Sequence, residues 1–513
     1  MLKSALLAAV LTVAFSAFAL DGQTGIHDPS TLIMSSGKYY VYGTGGTGQV
    51  SDDGWSWRRS AALPMRALAP DVIHIGDCYY VYTARNLDGQ PTKAAVYMFS
   101  NKTLDPDSPD YKWSEAEVVA SSDGVEDCNA IDPGVFLDPT DGRLWLVYGS
   151  YVGYIRLVEL DPKTGKRLNP QDKPRDLAIN CEASAMIYQD GWYYLLADHG
   201  SCCAGADSGY NIRVGRSRKV TGPFVDDQGV DMIVGGGKLL ITSEGRVIGP
   251  GHFGRMVLDG AVEKFSMHWE ADLDRGGASV LDIRPLLWKD GWPIAGGNAK
   301  EGTYEIRSVR TGTSLELAVE GVPVGGRLVR GPRRPPAPGQ GGAPATGAPG
   351  PVPPAPGGPT APGGFPPGGM FAGTGKVIPP QDVAEVSKKW PAGEVAPRLA
   401  NYLCQAQQKW TITAVPNAGG YPGSPYFKIT IAGTDRALAA IKDGELVVVP
   451  AFTGAPEQLW RIDQLVDGSW RIMPKAIPNS KDAWALSAVG AGFATLSKFD
   501  PKSDKQRWQL RTP

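Results

Sequence analysis

Histidine and cysteine are scarce, at five and six residues in a chain of 513. The cysteines are Cys78, Cys128, Cys181, Cys202, Cys203 and Cys404. Their spacing excludes a zinc ribbon, although some could pair in an oxidising compartment. Neither sign of charge is in excess, with 51 Lys and Arg against 53 Asp and Glu. That balance gives no footprint for nucleic acid or an anionic membrane, and suits a neutral polymer. No Gly-x-Ser-x-Gly elbow, phosphate loop or His-Glu-x-x-His occurs, which removes the commonest signatures of serine hydrolases, nucleotide enzymes and zinc proteases. Helix-like periodicity is rare. The one long apolar run, Ala5 to Phe18, follows Lys3 and ends in Ala17-Phe18-Ala19. It falls short of the ~20 residues of a spanning helix and reads as a secretory leader cut after Ala19. The expectation is a secreted or periplasmic protein, without membrane contact after cleavage, acting as a monomer.

Glycine (65) and proline (43) are abundant, and the segment 331–380 holds a disproportionate share. Such a stretch has too little apolar surface to order itself. On either side of it the chain is patterned. Toward the N-terminus a strand-like motif recurs: Gly37-Lys-Tyr-Tyr-Val-Tyr-Gly, Gly76-Asp-Cys-Tyr-Tyr-Val-Tyr, Gly142-Arg-Leu-Trp-Leu-Val-Tyr-Gly, Gly191-Trp-Tyr-Tyr-Leu-Leu and, more loosely, Lys264-Phe-Ser-Met-His-Trp. Aromatic and β-branched runs after glycine-bearing turns are strands. Five copies predict a five-bladed β-propeller, with an irregular β-sandwich as the alternative.

Upstream of each copy stands a titratable residue: Asp28, Asp71, Asp132, Glu182 and His252. The first strand of a propeller blade lines the axis, so these five are expected to converge on one axial pocket. Glycosidic hydrolysis needs one protonated and one ionised carboxyl group. Glu182 lies in the apolar context Ile179-Asn-Cys-Glu-Ala-Ser-Ala-Met and suits the acid, whereas Asp28 and Asp132 precede prolines among polar neighbours and suit the base. His252 could bind a metal, orient a carboxyl group or fill the channel. Cys202-Cys203 reads as a rim loop in which a vicinal disulfide could form.

The C-terminal region repeats Gln408-Lys-Trp410, Gln458-Leu-Trp460 and Gln506-Arg-Trp508, with similar openings upstream at Tyr304-Glu-Ile, Phe427-Lys-Ile and Trp470-Arg-Ile. Three units make a β-trefoil. The first unit begins near Gly302, so the Pro/Gly stretch is expected as an insertion within that repeat, with a true linker as the alternative. The chain is thus read as all-β: a leader over 1–19, a five-bladed propeller over 20–300, and a trefoil over 301–513 interrupted at about 331–380.

These motifs resemble glycoside hydrolase family 43, most closely its arabinanases, from about Gly25 to Pro293. The resemblance rests on His27-Asp-Pro-Ser, the run from Asn129 through Asp132-Pro-Gly to Ser150, Glu182-Ala-Ser, Gly200-Ser-Cys-Cys, Tyr210-Asn-Ile-Arg-Val-Gly-Arg-Ser, Thr221-Gly-Pro-Phe and Gly249-Pro-Gly-His. It implies an inverting hydrolase of α-1,5-arabinan, with Asp28 as general base, Glu182 as general acid, and Asp132 orienting the acid and tuning its pKa. It also implies a calcium or other ion in the channel near His252, and no organic cofactor. His27, Asp71, Asn129, Ser150 and Ser201 are expected to contact substrate. Inversion requires acid and base about 6.5–9.5 Å apart. Met267-His-Trp-Glu-Ala-Asp272 departs from the family's usual His-Tyr-Tyr-Asp, and Cys181 precedes the glutamate. Those departures leave open an exo-acting α-L-arabinofuranosidase or β-xylosidase. A non-catalytic sugar-binding protein is the remaining alternative. The C-terminal region is similar to a ricin-type lectin, in which a carboxylate after the leucine of each repeat binds sugar. Here those positions are Glu316, Ala439 and Ser487, so Glu316 alone is a candidate sugar contact; the trefoil either binds sugar weakly or is a docking scaffold.

Overall fold

Glycine-bearing turns start the architecture. Ser36-Gly37, Asp190-Gly191 and Asp290-Gly291 each have positive φ at both residues. That is the type I′ hairpin geometry whose twist matches paired strands. The aromatic runs after the first two turns form second strands, Lys38–Gly43 and Trp192–His199, each inside its own antiparallel sheet, while the third turn leads into the edge strand Trp292–Ala295. The computed structural model describes residues 20–90, 92–125, 128–319, 382–441, 444–490 and 492–513. The leader expected over 1–19 and the insertion expected over 331–380 lie outside the described residues.

Five sheets follow one another along the chain. Blade 1 contains Ile33–Ser35, Lys38–Gly43, Thr47–Ser51 and Ser56–Ser60. Blade 2 runs from Leu68–Ile75 to Glu117–Asp123, blade 3 from Gly134–Leu137 to Arg175–Ile179, blade 4 from Glu182–Gln189 to Lys238–Ile241, and blade 5 from Val247–Val257 to Trp292–Ala295. The five-bladed propeller expected from the repeats is therefore present. A middle strand of a blade is covered on both faces by neighbouring blades, so it is apolar throughout. Tyr40, Val41 and Tyr42 are all buried, as are Leu144 through Tyr148. An apolar core lies between each successive pair of blades.

The last of these cores closes the ring. It joins Leu20, Ile26, Trp55 and Trp57 to Leu281 and Ile283 of blade 5. The N-terminal segment crosses this seam: Asp21–Gly22 pairs in parallel with Ser56–Ser60 of blade 1. Leu281 N–H then donates to Thr24 O at 2.8 Å, and Ile26 N–H to Ser279 O at 3.3 Å.

Beyond the propeller a 12-stranded sheet closes into a barrel with threefold internal repetition. Each Gln-x-Trp does the same two things. The indoles of Trp410, Trp460 and Trp508 are fully buried and donate to the carbonyls of Leu315, Leu438 and Leu486 at 2.8, 3.0 and 2.9 Å. The glutamine amide oxygens accept from the N–H of Leu403, Thr453 and Asp500. This is the organisation of a β-trefoil. Ser314–Leu317 pairs with Pro397–Ala400, so residues on both sides of 320–381 belong to one sheet.

The barrel corrects one expectation. Glu316 does not face solvent as a sugar contact would. It is buried, with one oxygen accepting from Arg398 Nε at 2.6 Å and the other from Gln408 Nε2 at 2.9 Å. A buried carboxylate needs such partners, and here each of its oxygens has one.

A second correction concerns Asp71. Its oxygens accept Thr31 N–H of blade 1 at 3.0 Å and Val135 N–H of blade 3 at 2.9 Å. It is buried, and desolvation raises its pKa against those bonds. The side chain is a staple across three blades, spent on backbone rather than free for substrate. Asp71→Ala orphans two N–H groups and is expected to lower stability by about 2–4 kcal/mol, read as a shift of the urea midpoint.

Candidate active site

Each blade enters the axis through one residue in the left-handed region: Asp28 (φ 49°), Ala69 (43°), Asp132 (52°), Ala183 (49°) and His252 (64°). These five are the structurally equivalent positions. The expected phasing is therefore only partly right. Asp28, Asp132 and His252 are in phase, Glu182 sits one residue before its blade's equivalent, and Asp71 two residues after. Register shifts at Leu68/Asp71, Glu182/Ala185 and Gly251/Gly254 accompany the turn of the backbone. In a bulge, residues on opposite sides of the kink point in different directions. Asp71 consequently lines a separate cavity of about 230 Å³ with Thr31, Val135, Phe253 and Arg255, away from Glu182.

The other four come together. Asp28 Oδ1 lies 2.9 Å from His27 Nδ1 and 3.7 Å from His252 Nδ1, while Oδ2 accepts from Thr44 Oγ1 at 2.6 Å. Burial opposes ionisation of Asp28, but His252 and His27 together hold its carboxyl well below the usual range. Glu182 has the reverse balance. Burial is the largest influence and raises its pKa, the negative charge of Asp28 adds to that, and hydrogen bonds from Ser150 Oγ (2.7 Å) and Tyr210 Oη (2.8 Å) oppose it. Asp132 accepts Ala183 N–H at 3.3 Å and is pushed well above its usual value by burial and by Glu182 and Asp28. The pocket thus pushes one carboxyl toward its ionised form and two toward their protonated forms, which is the direction of asymmetry acid–base cleavage needs.

His27 is clamped as well. Its Nε2 lies 3.3 Å from Glu270 Oε1, and its ring stacks on His268 with centroids 4.4 Å apart. Burial lowers its pKa, but Asp28 and Glu270 outweigh that and raise it to about 10. Glu270 Oε1 also accepts Cys203 N–H at 3.0 Å. Cys202 and Cys203 are joined as a vicinal disulfide on the loop that follows His199.

The remaining expected contacts are placed less directly. The Ser150 hydroxyl is committed to Glu182. Ser201 is exposed, with its hydroxyl accepting Gly209 N–H at 2.9 Å. Asn129 is buried with Oδ1 unpartnered among the described residues. Sequence reasoning missed Asp198, Tyr210, His268 and Glu270. Asp198 is fully buried, accepts His252 N–H at 2.6 Å, and is raised well above its usual value by desolvation. These residues come from second and third strands, where the repeat pattern shows only apolar filling. Gly251 must lack a side chain, because a Cβ there would lie 2.2 Å from the Tyr210 ring.

Among the described residues two donor groups are close enough to hold a metal: His27 with Asp28 and His268, and His27 with Glu270 and the two cysteines. In the second the sulfurs are bonded to each other, so they are not thiolate ligands. The His252 Nδ1 is buried, lacks a hydrogen-bond partner and faces Asp28. That arrangement fits a cation attached to the imidazole. Calcium prefers oxygen ligands, so water would supply most of its shell.

The family model described as glycosyl hydrolases family 43 matches residues 24–293. An extracellular exo-α-(1→5)-L-arabinofuranosidase of Cellvibrio japonicus is 30% identical over 304 residues, which cover 53% of this chain and 86% of that protein. An extracellular endo-α-(1→5)-L-arabinanase of Bacillus subtilis is 30% identical over 293 residues, covering 52% and 87%. Among solved structures, an exo-1,5-α-L-arabinanase from a bovine ruminal metagenomic library superposes with a TM-score of 0.50 at 33% identity, covering 54% of this chain and 99% of that one.

The clamp on His27 has a consequence for stability. A histidine whose folded pKa is raised from 6.5 to about 10 stabilises the fold fully below 6.5, and that contribution is lost as pH rises through about 10. Stability measured by urea unfolding is expected to fall between pH 7 and 10, and His27→Gln is expected to flatten that slope.

Proposed function

Because this chain belongs to glycosyl hydrolases family 43 and is a glycosidase, we propose that it hydrolyses α-1,5-linked L-arabinan internally, with inversion. The relatives it matches, named for action on α-1,5-arabinan, support the substrate class. In this reading Asp28 is the general base, Glu182 the general acid, and Asp132 the group that orients the acid and tunes its pKa. The observation that carries it is the opposite direction of the Asp28 and Glu182 pKa shifts within one pocket. Asp28 deprotonates water as that water attacks the anomeric carbon. Glu182 gives its proton to the departing oxygen, the glycosidic bond breaks, and the free sugar has the opposite anomeric configuration. Ser150 and Tyr210 aim the Glu182 carboxyl. His27, Asn129 and Ser201 are proposed to meet the sugar. His252 is proposed to hold the channel calcium, which when bound supplies positive charge beside Asp28.

Exo action is the second reading. Glu270 is tied to Cys203 on the adjoining loop and to His27, and so narrows the surroundings of Asp28 where the family's usual pattern differs. The names of the two extracellular relatives support export, with residues 1–19 as the proposed leader. Among the described residues no helix is long and apolar enough to cross a membrane.

The product profile from linear α-1,5-arabinan decides between the readings. Mixed short oligosaccharides indicate internal cleavage, and a single small product indicates exo action. Glu182→Gln is expected to lose roughly 10²–10⁴-fold in rate, and an unchanged rate would remove it as the acid. NMR of the first-formed product is expected to show inversion.

The pH profile gives a further check. Tyr210 donates a hydrogen bond that favours the Glu182 carboxylate. Removing it raises the Glu182 pKa further, so Tyr210→Phe is expected to move the alkaline limb of kcat/KM to higher pH. A shift to lower pH would contradict the acid role.

A further inference from the structure

The barrel packs on the propeller where the ring of blades closes. Its hairpin Gly420–Pro425 reaches both sides of that seam. On the blade 1 side, Gly420 N–H donates to Asp53 Oδ2 at 2.8 Å and Gly423 N–H to Gly54 O at 3.2 Å. On the blade 5 side, Lys264 Nζ donates to Pro422 O, and Gly423 abuts Ile283 O so closely that a Cβ would lie 2.5 Å from it. A Cβ on Gly420 would likewise lie 2.3 Å from Trp55 Cβ. Glycine is required here because the two backbones touch.

Next to the hairpin lies a buried ionic cluster. Lys264 of blade 5 is 3.4 Å from Asp463, which also accepts from Arg471 at 2.7 Å. Arg471 reaches back to Asp259 of blade 5 at 2.6 Å. Lys264, Asp463 and Arg471 are each only 1% exposed. Two backbone bonds continue the contact, Trp288 N–H to Val466 O at 2.8 Å and Val466 N–H to Ala261 O at 3.1 Å. Separating barrel from propeller takes Lys264 from Asp463 and Asp259 from Arg471, while Asp463 keeps Arg471 and Arg461 within the barrel, so the cost falls on the buried Lys264 left without its carboxylate.

The position of this contact matters. The turns it uses, around Gly54 and Asp259, are at the ends of the blades opposite to those where Asp28 and His252 enter. At the entry end the same seam carries Asp28 N–H to His268 Nδ1 at 3.1 Å, and His27 to Glu270. The barrel's contacts with the propeller are therefore at the end away from the residues that enter the active site. Its three repeat positions also offer no exposed carboxylate: Glu316 is buried on Arg398 and Gln408, Ala439 has none, and the Ser487 hydroxyl is hydrogen-bonded to Ser497 at 2.6 Å.

We propose that the C-terminal barrel is an intramolecular clasp: hairpin Gly420–Pro425 and the Lys264–Asp463–Arg471–Asp259 cluster hold blade 5 against blade 1, and so fix the groups that meet across the seam at the active site. Holding a ring closed at one end limits the freedom of its residues at the other, because blades are rigid sheets. The clasp acts on the site's geometry and not on capture of the polymer.

The test uses the full chain carrying Lys264→Met or, separately, Asp259→Asn. Calorimetry is combined with turnover of linear α-1,5-arabinan and of a small soluble arabinoside. The unaltered chain is expected to unfold in one transition. Lys264→Met should split it in two, the lower falling by roughly 5 °C. Turnover of polymer and small substrate should fall together by roughly 3–10-fold, as displaced catalytic groups require. Asp259→Asn should move every reading the same way by less. A single transition at unchanged temperature in both variants overturns the clasp, as does a loss confined to the polymer, which would make the barrel a polymer-binding module. If Lys264→Met does not fold, Asp259→Asn decides alone, and an unchanged melt with it sinks the proposal. The turnover arm rests on the glycosidase reading and the melting arm does not: an unaltered chain that cleaves neither substrate defeats that reading and leaves the clasp to calorimetry.

Discussion

Everything at the axis depends on one hydrogen bond repeated around the ring. The backbone N–H of a left-handed entry residue donates to a side chain of the preceding blade. Asp28 donates to His268, Ala69 to Thr44, Ala183 to Asp132 and His252 to Asp198. Left-handed backbone costs about 1–2 kcal/mol at a residue with a Cβ, so each turn persists because its neighbour secures it. The same bond aligns each blade with the last and aims the entry side chain inward. Alignment of the fold and placement of the catalytic candidates are thus one event.

The acceptors chosen for this task explain the electrostatics. Two of them are carboxyl groups buried close to Glu182: Asp132 and Asp198. Buried together near Glu182 they cannot all be charged, and Asp132 and Asp198 are driven toward the neutral form. Asp28 escapes because two imidazoles face it and a third group, Glu270, secures one of them. The acidic partner therefore needs no special device. It is the ordinary outcome of crowding carboxyl groups in a dry pocket, and the unusual arrangement is the one that keeps Asp28 ionised.

The sequence carried the blades because covered middle strands must be aromatic and β-branched, and the turns between them need glycine. It carried Asp28, Asp132, Glu182 and His252 as neighbours because the repeat places them near the axis. It did not carry the phase at Asp71, since one residue of bulge reverses the direction of a side chain and leaves no mark in composition. Nor did it carry Asp198, Tyr210 or Glu270. Their strands read as core, and their partners lie on other blades. Glu316 misled for a related reason: a carboxylate in a repeat looks the same whether it points out to sugar or in to Arg398.

The closing seam gathers these constraints at a single place. Four junctions of the ring join blades that are continuous in the chain, so their closure is local and entropically modest. The fifth joins residues about 240 positions apart, as the Asp28–His268 bond shows, and connectivity does nothing to maintain it. Yet that junction supplies Asp28 and His27 from one side and His252, His268 and Glu270 from the other. A site that must keep one carboxylate ionised by imidazoles from two blades requires those blades to stay in register. The N-terminal strand crosses the seam from outside, and the barrel's hairpin occupies its far end. The junction with the least covalent support is the one on which the ionisation of Asp28 depends, and it is the one that the N-terminal strand and the barrel's hairpin reinforce from outside.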